Sequence, residues 1–154
     1  MDPAFYLAEI NVARLKAPLD HPMIAPFATA LDPVNALADA SAGFVWRLVG
    51  EAGDATDLRP FDDPDMLINM SVWQSIETLY EFAYKTAHTA VMSQRGAWFE
   101  RMTTPYMALW WVPIGTIPEP EEGKARLKHL ELHGATAEAF TFKERFPMPQ
   151  TAPE

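Results

Sequence analysis

Four stretches of the chain have strand character, with alternation in the first and many β-branched, aromatic or other apolar residues in all of them, a pattern that predicts four β-strands. The stretches are FYLAEINVAR (5–14), GFVWRLVG (43–50), MLINMSVW (66–73) and YMALWWVP (106–113). Between the first two, residues 23–41 have the spacing of apolar residues that is typical of a helix, interrupted by Pro26 and Pro33. We therefore expect two short helices here, the second with Asp32 as its N-cap and Pro33 at its first helical position.

Two later regions also have helical patterns. Residues 80–99 read as one amphipathic helix or as two joined helices, preceded by Ser75 as a candidate N-cap and by Glu77 in the first turn. Residues 118–134 place acidic residues first and basic residues later, and they end on a glycine, which predicts another helix. The segment EAFTF (138–142) is expected to be a short strand or an extended piece.

The resulting order is β, α, β, β, α, β, followed by an appended C-terminal helix. This order predicts an α+β fold of the ferredoxin-like, split βαβ type, with a four-stranded antiparallel sheet and helices on one face. A chain of 154 residues is expected to form a single domain over 1–154, with its core at about 5–147 and a flexible tail at 148–154. One face of such a sheet stays bare, so we expect a partner chain or a ligand to cover it.

Composition narrows the possible partners. The net charge of -9 repels phosphate backbones, and the basic residues are scattered, so we expect no nucleic-acid partner. The longest apolar stretch, YMALWWVPIG, has about half the length of a membrane span, so no membrane partner is expected. The chain has no cysteine, and its N-terminus lacks the basic region of a secretion signal, which favours a cytoplasmic location.

The two faces of the predicted sheet differ in polarity, because side chains alternate along a strand. Even-numbered positions are almost all apolar, and those of the second strand are Phe44, Trp46 and Leu48. Odd-numbered positions carry the polar residues Glu9, Asn11, Arg47, Asn69 and Ser71. Burial of each without a partner would cost about 1–3 kcal/mol. They form either an ion pair of Glu9 with Arg47 plus hydrogen bonds at the strand edges, or the polar part of a small-molecule pocket.

His88 is a candidate functional residue because it lies among aromatic residues at the border of a predicted buried face. On an unbroken helix it continues the row of Tyr80 and Tyr84 at intervals of four residues. A neutral imidazole there can act as a general base, ligate a metal or haem iron, or simply hydrogen-bond a carbonyl group. A helix break near Thr86 would rotate this row. The sequence leaves the catalytic and the structural roles open.

Other candidate sites are weak. His129 and His133 are four residues apart on a predicted helix, but no third ligand is evident, so we predict no metal site. Neither a calcium-binding loop, a phosphate-binding glycine loop nor a nucleophilic serine motif occurs in the sequence.

Five segments carry a resemblance to a known family. They are NVARLKAPLD, LDPVNALADASAGFVWRL, NMSVWQSIETLYEFAYKTAH, ALWWVPIGTIP and LELHGATAEAFTF. From about Phe5 to Pro147, the chain resembles an uncharacterised bacterial family, a domain of unknown function, in the dimeric α+β barrel superfamily. That superfamily includes antibiotic-biosynthesis monooxygenases, haem-degrading monooxygenases, haem proteins similar to chlorite dismutase, and stress-responsive barrels. The resemblance implies an antibiotic-biosynthesis-monooxygenase-like homodimer in which two sheets pack face to face.

The resemblance also implies candidate residues. Haem-degrading members use an asparagine on the first strand, a tryptophan, and a histidine on the second long helix. Asn11 and His88 are at matching places, and Trp73 matches less closely. The appended helix and the FTF piece are absent from those enzymes.

The leading hypothesis is a homodimer with one pocket per chain for a small hydrophobic or aromatic molecule, which it oxidises in a monooxygenase-like reaction without a cofactor. His88 would act as base or hydrogen-bond donor, Tyr84 and Asn11 would orient an oxygen atom, and Arg47 would hold an anionic substrate oxygen. The other predicted substrate contacts are Asn69 and the walls Trp73, Trp46 and Trp111. One alternative is a haem-binding protein with His88 as axial ligand. Another is a non-catalytic dimeric ligand-binding or stress-responsive module. The even-numbered sheet face suits a dimer interface, and the polar face would then lie under the helices.

Overall fold

Four strands form one antiparallel sheet in the computed structural model, which describes residues 4–49, 63, 65–86, 89 and 92–149. The strands are β1 (Phe5–Arg14), β2 (Phe44–Arg47), β3 (Met66–Trp73) and β4 (Met107–Pro113). Their spatial order is β2-β3-β1-β4, which makes β1 and β3 the central strands. The predicted α+β fold with the ferredoxin-like strand order is confirmed.

The described residues form four helices. They are α1 (Ala25–Asp39), α2 (Ile76–Lys85), α3 (Arg95–Trp98) and α4 (Pro120–His133). Helices α1 and α2 pack over the sheet face that carries Glu9 and Asn11, which we call the polar face. Helix α4 packs over the opposite face, which carries Ile10 and Met70 and which we call the apolar face. The sheet is therefore covered on both sides by its own chain.

Helix α1 is one continuous helix, so the prediction of two short helices is wrong. Pro33 lies inside it and removes one backbone donor from the helical ladder. Residues on both sides of this proline, Leu31 and Val34 among them, line the same cavity above the sheet. Packing of both halves against one surface offsets the missing hydrogen bond, and Pro26 takes a place in the first turn that suits proline.

The two ends of helix α2 are set by the residues that flank it, Ser75 and Thr86. The hydroxyl of Ser75 accepts a hydrogen bond from the backbone N–H of Thr78 at 3.1 Å, which confirms the predicted N-cap. The helix ends at Lys85, because Thr86 is in an extended conformation with φ -130° and ψ -175°. Residues 80–99 therefore do not form one unbroken helix, and α3 is a separate short turn of helix further along.

Strand β2 is shorter than predicted and contains an irregularity. Its register against β3 shifts between Phe44 and Trp46, so that Phe44 lies opposite Trp73 while Trp46 lies opposite Val72. A shift of this kind moves a side chain to the other sheet face. Phe44 accordingly contacts the Trp73 ring at 5.5 Å between centroids, and its predicted place on the apolar face is wrong.

The apolar face is not bare, which corrects the expectation that a partner or a ligand covers it. Ile10, Met70 and Trp110 are 0% exposed, and the Arg126 guanidinium of α4 lies 5.7 Å from the centroid of the Trp110 ring. Gly123 permits the close approach of α4. The apolar face therefore gives no reason to expect a dimer, and the homodimer stays a prediction.

The segment after α4 adds an extended piece to the sheet edge. Phe140 and Leu109 exchange two backbone hydrogen bonds, each of 2.8 Å. The predicted extended piece at 138–142 is therefore confirmed only around Phe140, since Glu138 lies in a turn and Phe142 in a bend. It ties the C-terminal segment to β4.

Enlarging Gly123 should destabilise the fold, because α4 leaves no room there. A Cβ at Gly123 would lie 2.6 Å from Ile10 Cδ1 and 3.2 Å from Met70 Cε. We expect Gly123→Leu to lower the free energy of unfolding by about 1–3 kcal/mol, as overpacked cores do. Gly96→Leu is the control, since no atom lies within 4 Å of a Cβ there and a helical glycine gains from a side chain. Urea unfolding measures both variants, and equal stabilities would contradict the packing of α4 on this face.

Candidate functional site

A cavity of about 240 Å³ lies between the polar face of the sheet and helices α1, α2 and α3. Most of its lining is apolar, and the aromatic residues in it are Phe27, Phe44, Trp73, Phe82, Tyr84, Trp98, Phe99, Tyr106 and Phe142. An apolar enclosure with a few polar groups is the usual form of a small-molecule site. Its volume is slightly below the common range of about 300–1,000 Å³, which favours a small ligand.

Two pairs of polar residues from the central strands form the floor of the cavity. In the sheet register Asn11 lies opposite Asn69, and Glu9 lies opposite Ser71. Burial increases along β3, from the exposed Asn69 through Ser71, which is 7% exposed, to Trp73, which is 1% exposed. The cavity is therefore open near the two asparagines and closed near the tryptophan.

Glu9 is the buried carboxyl group of this floor, with only 4% of its surface exposed. Its Oε1 accepts a hydrogen bond from the Ser71 hydroxyl at 2.9 Å, and its Oε2 accepts one from the Asn11 amide at 3.1 Å. The indole N–H of Trp73 in turn donates to the Ser71 oxygen at 2.9 Å. The serine hydroxyl thus accepts a hydrogen bond from the indole and donates its own hydrogen to the carboxylate.

Burial raises the pKa of Glu9 from its ordinary value of 4.5 to about 7. Loss of hydration disfavours the charged form, and the hydrogen bonds from Asn11 and Ser71 offset only part of that cost. A carboxyl group with a pKa near neutrality in a cavity is a candidate acid or base. The sequence places Glu9 in the polar cluster and does not single it out as an acid or base. The available signal is that Glu9 is the one carboxylate in the central strand β1.

Arg47 does not pair with Glu9, so the predicted ion pair is wrong. The guanidinium binds Asp39 at the end of α1 through two hydrogen bonds of 2.8 and 3.3 Å. Arg47 lies opposite Ser71 on the outer strand β2, one strand further from β1, whereas α1 brings Asp39 directly beside it. Arg47 lines the cavity with its positive charge already balanced.

Tyr84 lies on the helix side of the cavity and is 40% exposed. Partial burial raises its pKa, and the neighbouring Tyr106 and Tyr80 raise it further. The phenol therefore stays protonated near neutral pH and can donate a hydrogen bond to a ligand.

The structure brings together most of the predicted site residues. Asn11, Tyr84, Arg47, Asn69 and Trp73 all line the cavity.

The other predicted site residues do not join them. Trp46 packs with the apolar face, so its predicted place in a pocket wall is wrong. Trp111 packs against Phe140 and donates its indole N–H to the Phe146 carbonyl at 3.0 Å, away from the lining. His88 lies outside the described residues.

The part of the chain that the structure describes contains no group of three histidine, aspartate or glutamate side chains able to hold a metal ion. His129 instead contacts Thr136 at 3.0 Å and Glu138 at 3.4 Å. The described lining residues include no histidine, and the axial ligation of haem by His88 stays a prediction because His88 lies outside the described residues. Within the same residues, no helix has the length and apolar character needed to cross a membrane.

Replacing Glu9 by glutamine should change the pH dependence of stability. A carboxyl group whose pKa is about 7 in the folded chain and 4.5 otherwise binds more protons when folded. Its contribution to the free energy of unfolding therefore falls as the pH rises through that interval. Glu9→Gln lacks this titration. As the pH rises from 4.5 to about 7, its free energy of unfolding should therefore increase by up to roughly 3 kcal/mol relative to that of the wild type. Urea unfolding at about pH 5 and about pH 8 measures the difference, and a pH-independent difference would count against the raised pKa.

Solved structures that match this chain include two bacterial proteins. A protein from Pseudomonas aeruginosa, PA3566, matches with a TM-score of 0.50 and 14% identity over 75% of this chain and 100% of its own. A protein of unknown function from Nitrosomonas europaea, NE2512, matches with a TM-score of 0.48 and 14% identity over 77% of this chain and 98% of its own. No curated protein matches the sequence. At 14% identity, the Pseudomonas structure shows a likeness of fold alone.

The sequence itself matches one family over almost its full length. The match covers residues 6–154, and it confirms the predicted membership in a domain-of-unknown-function family. Membership in the dimeric α+β barrel superfamily, with its antibiotic-biosynthesis-monooxygenase-like branch, stays a prediction. The chain belongs to the family described as domain of unknown function DUF3291.

Proposed function

We propose that the chain binds a small, largely aromatic molecule in the cavity and that Glu9 exchanges a proton with it. The observation that carries this proposal is a buried carboxyl group with a pKa of about 7 in the floor of an apolar cavity. At neutral pH such a group is present in both protonation states, which is the condition under which a general acid or base is most effective.

The surroundings of Glu9 suit this role. Ser71 and Asn11 hold the carboxylate in one orientation, and they stabilise the negative charge that remains after the proton leaves. The aromatic lining shields a bound ligand from most of the surrounding water, while the open side near the asparagines lets Glu9 exchange its proton with solvent between encounters. In this proposal Glu9 has the role of base that the sequence predicted for His88. Asn11 and Tyr84 keep their predicted role of orienting a ligand oxygen.

The cofactor-free oxidation that the sequence predicts would follow from this proton transfer, with dioxygen as the oxidant. A methylene carbon activated by an aromatic ring gives a proton to Glu9, and the carbanion adds dioxygen to form a peroxide anion. Glu9 returns the proton, and the hydroperoxide loses water to leave a carbonyl group. In sum, one methylene group and one dioxygen molecule give one carbonyl group and one water molecule. The carbon is oxidised and dioxygen is reduced.

Filling the cavity should abolish ligand binding. Ala38 lies in its lining and is 7% exposed, so a phenyl ring at this position would occupy the space of a ligand. We expect the wild type to bind 2-tetralone, a small bicyclic ketone, and Ala38→Phe to bind it at least about tenfold more weakly, a loss of about 1.4 kcal/mol. Ala97→Phe adds the same ring at an exposed position and is the control.

Isothermal titration calorimetry measures these affinities, after circular dichroism has shown that both variants keep the wild-type fold. If Ala38→Phe and Ala97→Phe bind 2-tetralone equally well, the ligand site is not in this cavity.

The proton-transfer step can be tested without any oxidation. In deuterated buffer the methylene protons of 2-tetralone exchange with solvent, and NMR follows their loss. We expect the wild type to accelerate this exchange by about 10²-fold or more, as general bases do, with a rate that rises through a midpoint of about pH 7. Glu9→Gln should return the rate to that of buffer, whereas Glu77→Gln, an exposed substitution of the same kind, should retain the acceleration.

Binding of 2-tetralone without accelerated exchange would instead favour the alternative of a non-catalytic ligand-binding module.

A further inference from the structure

The cavity lining contains a second arginine, Arg95, whose environment differs from that of Arg47. Arg47 is balanced by Asp39. Among the described residues, no ion pair joins Arg95 to a carboxylate. Its guanidinium carbon lies 4.4 Å from the centroid of the Tyr106 ring, and this cation–π contact is made to a neutral group. Arg95 therefore brings a positive charge to the lining that no described acidic side chain balances.

Arg95 lies at the open end of the cavity. Its partner Tyr106 directly precedes β4 and is 43% exposed, and the Tyr106 carbonyl accepts a hydrogen bond from the Val12 N–H at 2.8 Å. This places the Arg95–Tyr106 pair beside Asn11, which lies opposite Met107 in the register. Glu9 precedes Asn11 by two residues in β1, so it lies about 7 Å deeper in the cavity than Asn11 at the usual rise of a strand.

The cavity is therefore polar and positively charged at its mouth and apolar at its closed end. Asn11, Asn69 and Arg95 line the mouth. Trp73 and Phe82 stack with 5.2 Å between ring centroids in the closed region beyond Ser71. A ligand that satisfies both ends must carry an anionic group on one side and an aromatic body on the other.

We propose that the ligand is an aromatic anion of the arenecarboxylate type, whose carboxylate binds Arg95 at the mouth while its rings lie over the floor toward Trp73. This inference rests on the proposed function and names the ligand class of the same site. A planar guanidinium matches a carboxylate through two parallel hydrogen bonds, and partial burial at the mouth weakens competition from water. The contact with Tyr106 holds the guanidinium in place before the ligand arrives.

The net negative charge of the whole chain makes a local positive group necessary for binding an anion. With a net charge of -9, the protein repels anions at long range. An anionic ligand is therefore selected only by a local positive group, and Arg95 is the described lining residue whose positive charge is available for that purpose.

The test compares two ligands of nearly the same shape and different charge, 2-naphthoate and 2-naphthamide, by isothermal titration calorimetry on the full chain. We expect the wild type to bind the carboxylate at least about tenfold more tightly than the amide. Arg95→Gln should remove this preference and leave the affinity for 2-naphthamide within about threefold of the wild-type value. Arg101→Gln removes the same charge from an exposed position outside the described lining, and it should keep the preference.

A measurement on the wild type serves if Arg95→Gln does not fold. Bound 2-naphthoate should protect Arg95 of the wild type from modification by phenylglyoxal, as mass spectrometry detects, and 2-naphthamide should not, because only the carboxylate pairs with the guanidinium. Equal affinities of the wild type for the two probes, or a preference that survives Arg95→Gln, would overturn the anion site and leave the proposed function standing. Failure of both probes to bind would overturn the proposed function and this inference with it.

Discussion

The burial of one carboxyl group in the central strand links the register of the sheet to the chemistry of the cavity. Asn11 donates to Glu9 from the same strand, but Glu9 finds the Ser71 hydroxyl only because β1 and β3 pair so that Ser71 lies directly opposite. A slip of one residue would bring an apolar side chain to that place, leave the carboxyl group without this donor, and turn every neighbouring side chain to the other face. The strand register that buries the core is thus the same register that assembles the candidate site.

The parts of the fold that depend on local patterns were predictable from the sequence. The bounds of β1 and β3 agree with the alternation of polar and apolar residues, and the cap at Ser75 follows from its side chain. The differences arise where tertiary packing overrides local preference. Helix α1 continues through Pro33 because both of its halves pack on the same cavity, and β2 bulges so that Phe44 meets Trp73. The position of α4 on the apolar face depends on contacts between segments far apart in the chain, such as that of Gly123 with Ile10.

The candidate site was predictable to a smaller extent, for a related reason. Strand parity places Asn11, Asn69 and Arg47 on one face, but it gives no distances between strands. The choice of Asp39 over Glu9 as the partner of Arg47 depends on where α1 ends in space. The pKa of Glu9 depends on how completely other elements cover it. Arg95 lies on a four-residue helix whose position over the sheet leaves no periodic signal.

The position of α4 also determines the order in which the core is completed during synthesis. The four strands precede residues 120–133, so a growing chain can form its sheet before the helix that covers the apolar face has been made. Until that helix docks, Ile10, Met70 and Trp110 face water, although they are fully buried in the finished domain. An exposed apolar sheet face is prone to aggregation and attracts chaperones. The nascent chain is therefore most vulnerable just before α4 emerges from the ribosome.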